Sequence, residues 1–321
     1  MKEKIKYQVL NTIALCIPAY NAAWCLPRLL ESAGNQLIPF DEILVYDDCS
    51  IDLTVETALS YGAKVVNGDI NRGCSYGKNK LLETTNCKWV HFHDADDELL
   101  PNFTTLAHQW INKDNCQDVV LFDFEYRDNE THQLISKSDF DSDQLKQDPV
   151  KYAILNQINP FCGLYKVAEL KKIGGYDIDA KIIYNEDVAF HCKLAIAGLT
   201  FGVEKEISII NYHIKNSMSD GNKVKCAQAH FEVMKINAEK VGKVYNNEIA
   251  QKLWANAIIL ASLSDWQTSK KAVDLALKLD PKITRNESSV VKLLSFFNAY
   301  FAIRARELMI RIFKNKLRTS A

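Results

Sequence analysis

The chain has 321 residues, 47% of them hydrophobic, with 39 basic against 40 acidic side chains and a formal charge of -1. This is apolar mass enough for a large core, and it excludes wholesale disorder and collagen-like architecture. Near-neutrality gives no general pull toward nucleic acid, although residues 302–321 hold six cations against Glu307 alone, while the rest holds 33 cations against 39 acids.

Lys2, Lys4 and Lys6 ahead of the apolar run 13–17 imitate a signal peptide, but Gln8, Asn11, Pro18 and Asn21 break that run, which reads as a first strand. Short β-rich runs then alternate with helical ones: strands at 12–17, 42–46, 64–67 and 88–92, helices at 22–32, 53–61 and 76–84. Alternation of this kind predicts βαβ units and an α/β sheet. Further strands are expected at 119–126 and 200–213 around a helix at 186–196, with Gly174-Gly175 as a turn. Beyond about residue 222 the pattern is helical. The helix-repeat-like stretch 272–281 occurs once, where a solenoid needs about three copies. No run reaches the roughly 18 apolar residues of a membrane span, since 290–303 is interrupted by Lys292, Ser295 and Asn298. The nine cysteines are scattered and odd in number, which argues against a disulfide framework or thiolate zinc site and for a reducing, cytoplasmic compartment.

Open parallel sheets bind ligands at the carboxyl ends of their strands. Here those ends are polar: Pro18-Ala19-Tyr20-Asn21, Asp47-Asp48-Cys49-Ser50 and Asp94-Ala95-Asp96-Asp97. Three carboxylates in the last cluster would repel and raise at least one pKa unless a cation sits among them. Mg2+ or Mn2+, shared with phosphate oxygens and water, resolves the conflict; a solvated acidic turn is the plainer alternative. Asp47 and Asp48 suit either a ribose contact or a turn with helix-start chemistry through Ser50 and Asp52. Arg72 and Lys78 flank the entry to the third helix, where they could face phosphate. Neither a Walker loop nor a Gly-x-Gly-x-x-Gly fingerprint is present. Glu186 and Asp187 open a helix after Asn185, so they serve either its first turn or acid-base chemistry. His91 and His93 share a strand face before Asp94 and imitate a metallohydrolase cluster, although alternate strand residues also pack as core.

Taken in order, Pro18-Ala19-Tyr20-Asn21, Asp47-Asp48-Cys49-Ser50, Asn71-Arg72-Gly73 with Asn79, Asp94-Ala95-Asp96-Asp97, Glu186-Asp187, and His213 with Ser217-Met218-Ser219 resemble the family 2 glycosyltransferases of GT-A fold. The resemblance covers residues 11–219 and implies a mixed, mostly parallel sheet flanked by helices, with a helical C-terminal extension. It implies a catalytic domain over 1–221, its nucleotide-sugar half about 1–100 and acceptor half about 101–221, followed by helices over 222–321. It also implies a nucleotide-diphosphate sugar, UDP-sugars favoured, held by Pro18, Ala19, Tyr20, Asn21, Asp47, Asp48, Ser50, Arg72, Lys78, Asn79, Asp94 and Ala95. Mn2+ or Mg2+ would sit at Asp96 with Asp94 and His213, and Asp187, beside Glu186, would be the general base for an inverting transfer to a glycan or lipid-linked acceptor in cell-surface polysaccharide or lipopolysaccharide synthesis. Lys78 stands where arginine is common, and the Gln/Arg-x-x-Arg-Trp motif of processive synthases is missing, so single-sugar transfer is expected.

Two other readings compete. One is a metal-dependent phosphohydrolase built on His91, His93, Asp94 and Asp96; the other is a scaffold that binds nucleotide-sugar without turnover. The C-terminal region reads as a lid, a homodimer contact or a peripheral anchor, because Ile303, Leu308, Ile310 and Ile312 interleave with cations in a way that suits an anionic membrane surface.

Overall fold

The structure, a computed structural model, describes residues 11–215, 221–283 and 289–313. Ser217, Met218 and Ser219 lie outside the described residues, as do the cations Lys314, Lys316 and Arg318. In chain order the elements are β1 Ile13–Ala19, α1 Leu26–Gly34, β2 Glu42–Asp47, α2 Thr54–Ser60, β3 Lys64–Asn67, α3 Cys74–Thr84, β4 Trp89–Phe92, β5 Glu98–Leu99, α4 Phe103–Ile111, β6 Val119–Asp128 and β7 Leu134–Lys137. There follow α5 Ser142–Gln147, α6 Pro149–Leu155, β8 Gly163–Lys166, α7 Val167–Lys172, α8 Glu186–Ile196 and β9 Phe201–His213. The remaining helices are α9 Lys223–Val241, α10 Asn246–Ser262, α11 Trp266–Leu279, α12 Ser289–Phe297 and α13 Ala299–Phe313.

The chain divides into two compact units. The first comprises Met1–Pro149, Ile158–Ile178 and Lys193–Ile214; the second comprises Val150–Gln157, Asp179–Cys192 and Lys215–Ala321. The linear boundary expected near 221 therefore does not coincide with the compact units, because two internal segments group with the C-terminal helices. Glu186 and Asp187 fall in the second unit.

In the first unit one sheet runs β3-β2-β1-β4-β8-β6-β9-β5, with β7 added on β6. Its first half is parallel, β1 pairing with both β2 and β4, and β2 with β3. β1 is almost wholly buried, as a central parallel strand covered on both faces must be, which is why its sequence is a continuous apolar run. In the second half β8 is antiparallel to both β4 and β6, and β5 is antiparallel to β9, while β6 and β9 are parallel. The short strands β5, β7 and β8 have no counterpart in the sequence expectation. α1 begins at Leu26 instead of 22, because Ala22 to Cys25 form a turn in which Cys25 N and Leu26 N both donate to the Ala22 carbonyl. Pro27 then fits the first helical turn, where no amide hydrogen is needed. Leu26, Leu29, Leu30 and Ala33 bury the helix's apolar face.

The second unit is helical. α10 and α11 pack through Ala257, Leu260, Ala261, Ala272, Val273 and Ala276, all buried, and the small side chains let the two helices approach closely. No helix among the described residues is long and apolar enough to cross a membrane.

Candidate active site

The carboxyl ends of β1, β2 and β4 share one edge of the sheet. Ala19 is in register with Asp47 and Cys16 with Phe92, while Asp48 N donates to the Ala19 carbonyl at 2.8 Å and His93 N to that of Cys16 at 3.0 Å. The three polar loops therefore leave the sheet side by side, as the alternation of strands and helices predicts.

Hydrogen bonds stitch the first two loops together. Asn21 and Cys49 adopt left-handed backbones, with φ of 49° and 65°. The Asn21 amide donates to Ser50 Oγ at 2.8 Å, and Asn21 Oδ1 accepts from Ile51 N at 2.9 Å. Asp47 is buried and accepts from Ser50 N at 3.1 Å. Asp48, also buried, accepts from Arg72 N at 2.8 Å and Gly73 N at 2.7 Å, which fixes the approach to α3. Pro18 and Ala19 close β1, and Tyr20 beyond them is exposed. Arg72 pairs with exposed Asp69 at 3.0 Å and lies over the Tyr76 ring. Asn79 forms two bonds with the Tyr176 backbone, donating to its carbonyl at 2.9 Å and accepting from its amide at 2.8 Å, so it clamps α3 to the turn after Gly174-Gly175.

The Asp94–Asp97 loop is electrostatically uneven. Lys78 is only 2% exposed and places Nζ 3.7 Å from Asp94 Oδ1. Asp96 is half-buried, and burial followed by the neighbouring Asp94 pushes its carboxyl up to about 6. Asp97 is fully buried and raised well above the usual range by burial, Asp96 and Asp94. Its oxygens accept from Asn211 Nδ2 at 2.7 Å and Tyr212 N at 2.9 Å, tying the loop to the end of β9. Next along that strand, His213 Nδ1 lies 2.8 Å from the Tyr126 hydroxyl. Ala95, half-buried, spaces the two outer carboxylates.

Arg28 was not among the expected site residues, yet it is wired into this loop. One of its terminal nitrogens donates to the Asp96 carbonyl and the other to Asn129 Oδ1 at 2.9 Å, and the guanidinium lies 3.9 Å above the Tyr212 ring centroid. Its Nε is buried with no hydrogen-bond partner among the described residues. The sequence signal was a lone cation between the buried Leu26 and Leu29 of α1, at the strand-end edge of the fold.

His91 and His93 do not belong to the site. Both are 0% exposed. His91 Nδ1 donates to the Gly163 carbonyl at 2.8 Å, and its Nε2 meets His93 Nδ1 at 2.9 Å. His91 also lies against Phe103, and burial drives both rings to the neutral form, His93 to about 3. They are core residues, so the metallohydrolase cluster expected from their spacing with Asp94 and Asp96 does not form.

In the second unit, Glu186 and Asp187 form the first turn of α8, both half-buried. His191 Nδ1 donates to the Asp187 carbonyl at 2.9 Å, and the preceding Asn185 accepts from His230 Nδ1 of α9 at 3.1 Å.

Among the described residues no group of three or more His, Cys, Asp or Glu side chains is placed to hold a metal ion. Asp94 and Asp96 nonetheless fit a hard divalent cation shared with phosphate: both offer oxygen donors, and Asp96 is a carboxylate strained by burial that no described side chain neutralises by hydrogen bonding.

A parallel β3-β2-β1-β4 half-sheet, an acidic loop after β4 and a second half of mixed parallel and antiparallel pairing together define a protein of GT-A fold. The family model described as Glycosyl transferase family 2 matches residues 14–173, and through this segment the chain belongs to that family. An uncharacterized glycosyltransferase of Rickettsia typhi is 29% identical over 182 residues, covering 56% of this chain and 57% of that protein. The aligned segment thus spans little more than half of that relative. Among solved structures, S. aureus TarS 1-349 in complex with UDP-GlcNAc superposes with a TM-score of 0.69 at 18% identity, covering 94% of this chain and 91% of that one. A mannosyltransferase from Pyrobaculum calidifontis in complex with GDP-Man and Mn2+ gives a TM-score of 0.55 at 15% identity over 94% and 87% of the two chains.

Proposed function

We propose that this protein is an inverting, metal-dependent glycosyltransferase that moves one sugar from a nucleotide-diphosphate donor, a UDP-sugar by preference, to a hydroxyl of a glycan or lipid-linked acceptor in cell-surface polysaccharide synthesis. The observation that carries the reading is the Asp94-Ala95-Asp96 loop: two outer carboxylates at the end of β4, one of them raised to about 6 by burial and its neighbour, beside the buried Lys78.

In this reading Tyr20 and Asn21, with Asp47, Asp48 and Ser50, frame the base and ribose, and Arg72, Lys78 and Asn79 border the diphosphate. Asp96 with Asp94 would hold Mn2+ or Mg2+, and His213 at the end of β9 is the candidate further ligand. A bound cation would neutralise the charge that grows on the departing diphosphate. Asp187 takes the proton from the acceptor hydroxyl as its oxygen attacks the anomeric carbon, and Glu186 flanks it. Single displacement inverts the anomeric centre. Arg28 and Asp97 act by position, holding the Asp96 backbone and the β9 end on either side of the loop.

The domain roles follow. The proposed donor residues lie in the sheet-bearing unit, and Asp187 lies in the helical one. α13 presents Phe301, Leu308 and Ile312 to solvent beside Arg304, and the sequence beyond it is basic, so the partner proposed for this face is an anionic membrane surface on the cytoplasmic side.

The test is a thermal-shift screen of UDP-, GDP- and dTDP-sugars, each with and without Mn2+. A metal-dependent rise in melting temperature with one nucleotide class is expected; no response to any donor would sink the reading.

A further inference from the structure

We propose that an open groove in the helical unit binds the phosphate ester of an anionic acceptor. The groove encloses about 330 Å3 between the segment 180–184, α9 and α11. Lys181, Lys225 and Lys271 line it together with Tyr184, Gln228 and Thr268. Among the described residues none of these three lysines forms an ion pair, whereas Lys270, next in sequence to Lys271, is paired with Asp274 at 2.7 Å.

The acids nearby are already engaged. Glu232, also in the lining, lies 3.5 Å from Lys235. Asp265 accepts from Thr268 N at 3.0 Å and Gln228 Nε2 at 2.8 Å, so its charge caps α11 and holds two of the groove's polar side chains in place. Three ammonium groups around one concavity repel one another, and a bound anion relieves that repulsion. Lysine suits phosphate as a mobile point charge with three donors. The Tyr184 hydroxyl, 3.4 Å from Lys225 Nζ, adds a neutral donor at the groove wall.

The location gives the anion its role. Tyr184 stands three residues before Asp187. Lys225 touches Tyr184, and His230 of α9 bonds Asn185, so α9 is fastened to the turn that leads into the Glu186-Asp187 pair. A phosphate held here belongs to the molecule whose hydroxyl Asp187 deprotonates. This assignment rests on the transferase reading above. Its chemistry, a phosphate mono- or diester, is common to a soluble polyol-phosphate chain and to a lipid phosphate headgroup.

The experiment is calorimetric titration of the full-length protein, with UDP and Mn2+ in excess to fill the donor site, using glycerol 3-phosphate, a glycerol phosphodiester, and vesicles of phosphatidylglycerol or phosphatidylcholine. The comparison protein carries Lys181→Gln, Lys225→Gln and Lys271→Gln, which keep the side-chain stems and remove only charge. Binding of at least one phosphate probe is expected, weakened tenfold or more in the triple variant, while the donor-induced thermal shift stays as in the wild type. Lysine-dependent binding of the soluble esters identifies a polyol-phosphate acceptor; lysine-dependent binding confined to phosphatidylglycerol vesicles identifies a lipid phosphate. Equal affinity in the two proteins, or no binding of any phosphate probe, overturns the proposal. Because the donor response is read separately, failure of the groove leaves the transferase reading standing, and loss of the donor response in the wild type removes the acceptor assignment with it.

Discussion

Asp96→Asn isolates the charge that the acidic loop stores. In the folded protein the carboxyl titrates at about 6, against an ordinary 3.8, because burial and Asp94 disfavour its ionised form. The sign follows directly. A raised folded pKa means the native state holds the proton more tightly, so the stabilisation is complete below about pH 4 and is lost as pH rises through about 6. The rise corresponds to at most about 3 kcal/mol, or several degrees of melting temperature in a protein of this size. Asparagine keeps the shape of the side chain, the Arg28 bond to the residue 96 carbonyl and the Asp97 ties to β9, so the loop itself persists. Without metal, the melting temperature of the wild type relative to the variant should fall between pH 4 and pH 7. Added Mn2+ should restore the wild type above pH 6, have little effect below pH 5 where protons compete, and leave the variant unchanged. Differential scanning calorimetry at these pH values reads all three effects. A variant with the wild-type pH slope, or with the wild-type response to Mn2+, would refute the assignment of strain and metal binding to Asp96.

Asp187→Asn should reduce transfer to background while leaving the donor-induced thermal shift intact; near-normal turnover would remove Asp187 from the base role. Gly77→Ala places a Cβ 2.7 Å from Tyr46 Cδ1, a ring only 2% exposed, and should cost about 1–3 kcal/mol of overpacking, partly offset by better helix propensity. Gly34→Ala, which meets nothing within 4 Å, is the matched control and should not lower the melting temperature. Leu308→Ser with Ile312→Ser should reduce co-sedimentation with phosphatidylglycerol vesicles without unfolding the protein, since both side chains are exposed; undiminished binding would discard the membrane face. Truncation near residue 301 is a poorer test, because Ala302, Ile303 and Glu307 are buried and Arg311 bonds the carbonyls of Ala261 and Ser262 at the end of α10.

Hydropathy patterning alone located most of the sheet-forming segments and the loops that leave them. β3 at Lys64–Asn67 and α8 at Glu186–Ile196 fall where the alternation and the first-turn acids placed them. Such features are local: a buried parallel strand must be continuously apolar, and a helix start shows in a few consecutive residues. The polar strand ends were legible for the same reason, because the residue after an apolar strand is fixed by the strand.

Tertiary structure decided whatever depended on partners far along the chain. β5 has two residues and β8 four, too short to show a period, and they exist because Glu98 pairs with Ile210 and Gly163 with Leu121. Arg28 becomes part of the acidic loop only where α1 meets Asp96, Asn129 and Tyr212, and Asp97 becomes a clamp only against Asn211 and Tyr212. His91 and His93 share their spacing with metal ligands, but burial against Phe103 and the Gly163 carbonyl makes them core. The second unit gathers Val150–Gln157 and Asp179–Cys192 with the C-terminal helices, a grouping that no linear boundary can express. Sequence thus determined where chemistry-bearing residues leave the backbone, since propensity and periodicity act over a few residues. Which of them clamp a loop and which are buried was decided by contacts between residues far apart in the sequence, where desolvation and hydrogen bonding assign the roles.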